Sequence, residues 1–206
     1  MGANSKVFER LELNNYNLNF IDWIIPIDNE SIEDYAKRMA KDIDTSKPVI
    51  LIGMSFGGIM VQEISKFIDV DRIILISTVK TRDELPTIYK ISSLLSLHKL
   101  IPSIFFNNTK LMAKALFGKN SETIVKTIDR YFTIRDIRYS RWAIDKVVNW
   151  KQTIYHKNIL HLHGTKDSVF PVKFINKATY IERGTHLMIF NKATKLNKYI
   201  SKFLDH

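Results

Sequence analysis

The feature that most constrains the fold is a Gly-x-Ser-x-Gly pattern between two apolar stretches. Residues 49–52 follow Pro48 and are typical of a strand buried on both faces, and residues 59–68 have the apolar spacing of a mostly buried helix. A direct turn from strand to helix leaves its middle residue strained and exposed above the sheet, and we expect Gly53 and Gly57 to avoid Cβ collisions there. Ser55 is therefore a candidate nucleophile, unless the pattern is only a chance glycine and serine turn.

The rest of the chain alternates strand and helix patterns, which predicts an α/β fold with a mostly parallel sheet of about five strands and flanking helices. The strand patterns cover residues 19–25, 48–53, 72–78, 158–163 and 178–182. Between the third and fourth of these, the sequence carries helix patterns alone, at 86–98, 109–117, 121–132 and 134–149. We therefore predict a core formed by residues 1–78 and 158–206, interrupted by a helical insertion at 79–157.

Two polar residues follow strand patterns in the second half of the core. Asp167 comes after the strand at 158–163, and His186 comes after the strand at 178–182. The carboxyl ends of parallel strands meet at one edge of a sheet, where ligands gather. A serine hydroxyl needs a base to take its proton, and the base needs an acid to fix its tautomer. We expect His186 to be the base and Asp167 the acid, although a histidine at a helix N-terminus and an aspartate in a turn also have purely structural uses.

The other histidines are weaker candidates. His161 and His163 share one face of a buried strand, which favours core imidazoles over metal ligands. The sequence carries no phosphate-binding loop and no dinucleotide-binding glycine pattern, so we expect no metal and no cofactor. It also contains no cysteine, which excludes disulfides and thiolate catalysis.

The net charge of +10 is concentrated in the helical insertion, which has 15 basic residues against 6 acidic ones. A solvated lysine-rich surface is one interpretation, and an anionic substrate or partner is another. No nucleic-acid-binding motif accompanies the charge, so no nucleic acid is expected. The sequence has no apolar run long enough to span a membrane and no apolar N-terminal signal, so the default expectation is a cytoplasmic protein without a membrane span. No sequence pattern indicates the oligomeric state of the protein.

The order Ser55, Asp167, His186, with the glycine pattern around Ser55 directly after a buried strand, resembles the α/β-hydrolase superfamily over nearly the whole chain. The resemblance implies that residues 79–157 form a helical cap. It implies hydrolysis of a small-molecule acyl ester or thioester through an acyl-enzyme, in which Ser55 attacks, His186 carries the proton and Asp167 holds the imidazole. It also implies an oxyanion hole built from the backbone N–H groups of Phe56 and Gly2.

The front of the chain departs from that superfamily. The strand at 19–25 fits the fourth strand of the fold and the strand at 48–53 fits the fifth, but the third strand has no counterpart after Met1. We therefore expect an N-terminally shortened member in which the early strands are missing. Such a chain has an alternative function, as a non-catalytic binding protein with an incomplete oxyanion hole and a basic cap for an anionic ligand or partner.

The cap contains apolar runs at residues 94–97 and 100–106, together with Trp142. These residues either line an apolar pocket for an acyl group or pack the cap onto the sheet. The basic residues around them suit a substrate that has a carboxylate or phosphate group.

Overall fold

The computed structural model describes residues 2–111, 113 and 122–205. Its sheet has four parallel strands in the order β1-β2-β3-β4. The strands are β1 (Ile50–Met54), β2 (Arg72–Ile76), β3 (Ile159–Gly164) and β4 (Thr179–Ile181). Because all four run the same way, the turns that follow Met54, Gly164 and Ile181 lie at the same edge of the sheet.

Helices cover both faces of this sheet, as the sequence predicts. The described α-helices are α1 (Ile32–Ala40), α2 (Phe56–Ile64), α3 (Thr87–Leu95), α4 (Ser103–Asn107), α5 (Glu122–Tyr131), α6 (Ile137–Val148), α7 (Met188–Asn191) and α8 (Ala193–Leu204). Short 3₁₀ turns lie at Ser5–Phe8, Arg82–Glu84, Leu97–Leu100 and Val172–Phe174. The Ser31 side chain begins α1 by accepting the Asp34 N–H at 3.0 Å, which is an ordinary N-terminal cap.

The core has two layers because successive side chains of a strand point to opposite faces. Ile73 and Leu75 of β2 belong to a cluster with α1, α2 and α6. Ile74 and Ile76 belong to a second cluster with the first 3₁₀ turn, α7 and α8. All four of these β2 side chains are fully buried, so β2 lies at the centre of the molecule.

Between β2 and β3 the described residues form helices joined by turns and irregular segments, the longest of which covers 150–156, with one isolated bridge between Phe132 and Ala3. The patterns at 86–98, 121–132 and 134–149 correspond to α3 with its following 3₁₀ turn, α5 and α6. The predicted helix at 109–117 falls mostly outside the described residues. Treating 79–157 as a separate cap stays a prediction.

The predicted strand at 19–25 is wrong, and the described sheet has four strands where we expected about five. The 19–25 segment is extended but joins no strand, and Phe20 and Ile21 are exposed. The backbone of this segment is instead held by side-chain hydrogen bonds, because the Tyr35 hydroxyl donates to the carbonyl of Ile24 at 2.8 Å. As a result, β1 forms the edge of the described sheet.

Candidate active site

Ser55 lies in the tight turn between β1 and α2. Its backbone has φ 54° and ψ −124°, a conformation that is strained for a residue with a side chain. The Thr78 hydroxyl, just beyond the end of β2, donates to the Ser55 carbonyl at 2.7 Å. The turn is therefore held from the neighbouring strand, and the Ser55 side chain is left half-buried at the carboxyl edge of the sheet.

The glycines around Ser55 have unequal roles. A Cβ atom at Gly53 would lie 2.3 Å from the carbonyl oxygen of Gly57, which no side chain can tolerate. A Cβ at Gly58 would lie 2.4 Å from the Thr78 Cγ2. A Cβ at Gly57 would meet only Trp23, at an ordinary 3.8 Å. The expectation that Gly57 avoids a collision is therefore wrong. The two positions of this turn at which sterics require glycine are Gly53 and Gly58.

The structure brings Ser55, His186 and Asp167 into one hydrogen-bonded run. The Ser55 Oγ lies 2.9 Å from the Nε2 atom of His186. The Nδ1 atom of His186 lies 2.9 Å from the Oδ2 and 3.2 Å from the Oδ1 of Asp167. A carboxylate can only accept, so Nδ1–H donates to Asp167 and Nε2 is left to accept from the Ser55 hydroxyl.

The carboxylate of Asp167 is buried, and backbone N–H groups donate hydrogen bonds to it. Its Oδ1 accepts the backbone N–H groups of Val169 at 2.8 Å and of Phe170 at 2.9 Å. Burial acts to raise the pKa of Asp167, but its electrostatic interaction with His186 and the hydrogen bonds from His186 and Phe170 outweigh it. The pKa of Asp167 therefore lies below its ordinary value, and the group is a carboxylate at neutral pH.

A close contact between two glycines fixes the loops that carry Asp167 and His186. A Cβ at Gly164 would lie 2.3 Å from the carbonyl oxygen of Gly184, and that same oxygen accepts the Lys166 N–H at 2.8 Å. The two loops thus pack backbone against backbone at the ends of β3 and β4. Sequence reasoning assigned these glycines no role, although Gly164 directly follows one predicted strand and Gly184 lies two residues after another.

His161 and His163 are core residues, as the sequence predicts. The Nε2 of His161 donates to the Thr78 carbonyl at 3.0 Å, and burial lowers the pKa of His161 to about 3. The Nε2 of His163 donates to the Phe170 carbonyl at 2.8 Å, and burial also lowers the pKa of His163. Both rings are therefore neutral and brace the turns that hold Ser55 and Asp167.

The two predicted oxyanion donors differ in their surroundings. Phe56 is the first residue of α2, where N–H groups have no acceptor inside the helix. The Gly2 N–H instead donates to the Tyr139 hydroxyl at 3.3 Å. The role of both groups in an oxyanion hole stays a prediction, and for Gly2 that role requires the bond to Tyr139 to break.

An aromatic cluster covers the start of α2; sequence reasoning considered Trp142 as a packing residue but missed the contacts of Trp23 and Phe56. The Trp23 ring stacks on Phe56 with centroids 5.3 Å apart, and its Nε1–H donates to the Ala3 carbonyl at 3.0 Å. The ring of Trp142, from α6, meets Phe56 edge-on at 6.0 Å. Trp142 therefore packs the helical segment onto the core.

Comparison with known proteins identifies the fold. No protein-family model matches the chain, and no curated protein sequence does. The chain is similar in structure to a lipase-esterase related protein from Clostridium acetobutylicum, with a TM-score of 0.63 and 16% identity over 98% of this chain and 90% of that one. It is also similar to a thermophilic esterase, with a TM-score of 0.63 and 19% identity over 99% of this chain and 86% of that one. A third similar structure is a meta-cleavage product hydrolase from Pseudomonas fluorescens, with a TM-score of 0.55 and 16% identity over 86% of this chain and 72% of that one. The chain therefore has the α/β-hydrolase fold.

Proposed function

We propose that the protein is a serine-dependent hydrolase that cleaves an ester or thioester through an acyl-enzyme. The observation that supports this most is the continuous run of hydrogen bonds from the Ser55 hydroxyl through the His186 ring to the Asp167 carboxylate. Nucleophile, base and orienting acid are at hydrogen-bonding distance without any movement of the chain.

The reaction has two halves. The Ser55 Oγ attacks the substrate carbonyl carbon while its proton passes to the His186 Nε2, which gives a tetrahedral oxyanion. The oxyanion collapses, the bond to the leaving alcohol or thiol breaks, and Nε2–H returns the proton to that group. Water then attacks the acyl-Ser55 carbonyl, again losing its proton to Nε2, and the acid leaves as the Ser55 hydroxyl re-forms.

The surrounding groups supply charge stabilisation. The Asp167 carboxylate holds the Nδ1–H of His186 and stabilises the imidazolium that forms in each half. The Phe56 N–H is the first oxyanion donor, which is worth about 3 kcal/mol of barrier lowering. Gly2 supplies the second donor once its N–H leaves the Tyr139 hydroxyl.

The alternative function is a non-catalytic protein that binds an anionic ligand or partner through its basic helical segment. The observation that favours it is the bond between Gly2 and Tyr139, because it occupies the second oxyanion donor. A folded protein that binds ester substrates but neither turns them over nor reacts with a serine-directed probe would support this alternative.

The substrate we propose is a small acyl ester or thioester with an anionic group. Its class is supported by the names of the structural neighbours, among them esterases and an enzyme described as degrading N-acyl homoserine lactone. Its charge is supported by the basic excess of the 79–157 segment, because positive potential attracts anions and is screened by salt. We expect the turnover of anionic esters to fall with ionic strength and that of neutral esters to stay constant.

A panel of matched esters and thioesters that share each acyl group tests the proposal. We expect Ser55→Ala to lose turnover completely and Asp167→Asn to lower kcat about 10³–10⁴-fold, because the imidazole is left in the wrong tautomer. Asp69→Asn, at an exposed position, is the matched control and should keep wild-type turnover. Turnover that survives in folded Ser55→Ala would overturn the proposal.

A further inference from the structure

The helical segment has an outer surface of aliphatic side chains, here called the aliphatic patch. Its members lie on α3, on the 3₁₀ turn after it, on α4 and just beyond, and all are exposed. They are Ile88, Ile91, Leu94, Leu95, Leu97, Leu100, Ile104 and Leu111. Leu94 and Leu100 protrude most, with 84% and 75% of their surfaces exposed. The expectation that residues 94–97 and 100–106 line a pocket or pack the cap is therefore wrong for most of these side chains, although Phe106 is buried.

The helix α3 carries its apolar side outward. Ile88, Ile91 and Leu95 recur at a helical spacing of three and four residues, so they share one side of the helix. The inward side is anchored by hydrogen bonds and by one aromatic ring: the Ser93 hydroxyl donates to the Asn149 side chain at 2.6 Å, and Tyr89 packs against the core while its hydroxyl donates to the Val169 carbonyl at 3.2 Å. An exposed aliphatic side on a helix whose other side is anchored in this way marks an interaction surface.

The charge around the patch is mainly positive. Between Glu84 and Glu122 the sequence contains no acidic residue and five lysines. Of these lysines, the structure describes Lys90, Lys99 and Lys110. Arg141 adds a further positive charge, and its guanidinium donates to the carbonyl of Ile101 at 3.3 Å. Two acids that reach this region from other elements are paired: Asp129 with Arg135 at 2.5 Å, and Asp145 with Lys146 at 3.2 Å. The exposed Asp83, just before α3, lies beside Lys90, whose ammonium group donates to the Asp83 carbonyl at 3.1 Å.

We propose that the aliphatic patch docks on the surface of an anionic lipid membrane. Leucine and isoleucine side chains that protrude from a helix, flanked mainly by lysines, match the composition of helices that lie in a membrane interface. Protein interfaces, by contrast, are enriched in aromatic residues and arginine and depleted in lysine. Among the described residues, no helix combines the length and apolar character needed to cross a bilayer.

On its inward side, α3 packs against the loop that carries Asp167 of the candidate active site. The Tyr89 ring, on the inward side of α3, meets the Phe170 ring edge-on at 6.2 Å, and Phe170 lies 5.8 Å from the His186 ring. A protein held by the aliphatic patch thus has α3 between the membrane and the loop that carries Asp167. If the proposed hydrolase function holds, its substrate is an ester that partitions into lipid; the docking itself does not depend on that function.

Flotation with lipid vesicles tests the docking directly. The protein is mixed with vesicles of phosphatidylcholine alone or with one third phosphatidylglycerol, and the bound fraction is measured at low and high salt. We expect binding to the phosphatidylglycerol vesicles only, reduced by salt. The double variant Leu94→Ser with Leu100→Ser should bind at least about tenfold more weakly. Replacing Lys99 by Gln should lower affinity about fivefold at low salt.

The matched control removes aliphatic side chains of comparable exposure from outside the patch. Ile27→Ser combined with Ile154→Ser changes residues that are 59% and 83% exposed and should leave binding unchanged. All variants are checked for wild-type folding by circular dichroism. Because the assay measures binding, loss of hydrolysis in Ser55→Ala does not affect it.

Three results would overturn the proposal. The first is folded wild type that stays unbound with phosphatidylglycerol vesicles. The second is equal weakening by the control pair, or equal binding to both vesicle types. The third is a dimer in vesicle-free solution that dissociates in the Leu94→Ser, Leu100→Ser variant, because a second copy would then cover the patch.

Discussion

Alanine at Gly58 and alanine at Gly57 test how the turn around Ser55 is built. The sequence pattern singles out Gly57, whereas the structure assigns the steric requirement to Gly58. A Cβ at Gly58 would lie 2.4 Å, 2.7 Å and 2.8 Å from three side-chain atoms of Thr78. A Cβ at Gly57 would have one neighbour beyond its own helix, a Trp23 carbon at 3.8 Å.

The magnitude follows from these contacts. Both glycines lie in the first turn of α2, so the gain of about 0.5–1 kcal/mol from replacing a helical glycine by alanine is shared and cancels in the comparison. What remains is the cost of overpacking, about 1–3 kcal/mol. Thr78 is β-branched and its hydroxyl is bonded to the Ser55 carbonyl, so it cannot rotate away freely. We expect Gly58→Ala to be less stable than Gly57→Ala by about 3 kcal/mol, the upper end of that range.

Thermal unfolding followed by circular dichroism measures the difference, which corresponds to about 6–12 °C in Tm for a chain of this size. Adding Thr78→Ser to Gly58→Ala removes the nearest atom while keeping the hydroxyl, and it should recover about 1 kcal/mol. Stability of Gly58→Ala within about 0.5 kcal/mol of Gly57→Ala would refute the argument that Thr78 dictates a glycine at this position.

Two further predictions concern buried ionisable groups. His161 has an ordinary pKa of 6.5 and a folded pKa of about 3, so below pH 6.5 the unfolded chain takes up a proton that the folded chain rejects. The contribution of His161 to the free energy of unfolding is therefore fully present above pH 6.5 and is lost as the pH falls. Between about pH 8 and about pH 5, the free energy of unfolding measured with urea should fall by about 2 kcal/mol less in His161→Phe than in wild type. Equal falls in the two proteins would contradict this. Lys80 and Glu84 form a buried pair at 3.4 Å, so Lys80→Met leaves a buried carboxylate without its cation and should cost about 3–5 kcal/mol. Lys126→Met, which breaks a largely exposed pair with Glu122, is its control, and similar losses in both variants would show that burial does not set the cost.

The sequence predicted those parts of the site that depend on local order. A buried run followed by glycine, serine and glycine fixes a strand-to-helix turn at Ser55. The loops after two further strands fix Asp167 and His186 at the same edge of the sheet, because parallel strands all end there. Three side chains that are distant along the chain could therefore be predicted to lie close together without knowledge of any tertiary contact.

Other features depend on contacts that no local pattern carries. The need for glycine at Gly58 comes from Thr78, which lies just beyond the end of β2. The 19–25 segment has the apolar residues of a strand but joins no neighbour, and a strand without a partner leaves its backbone unpaired. Leu94 and Leu100 are as apolar as any core residue, yet nothing in the described part of the fold covers them. Hydrophobicity predicts where a side chain gains by burial, and the rest of the fold decides whether burial occurs.

Reaction with a fluorophosphonate, followed by intact mass measurement, tests the central claim most directly. We predict a single adduct on the wild-type protein, none on Ser55→Ala, and labelling that is at least about a hundredfold slower in His186→Ala, because the hydroxyl has lost its base. A folded wild-type protein that gains no mass, or an adduct that persists in Ser55→Ala, would contradict the assignment of Ser55 as an activated nucleophile.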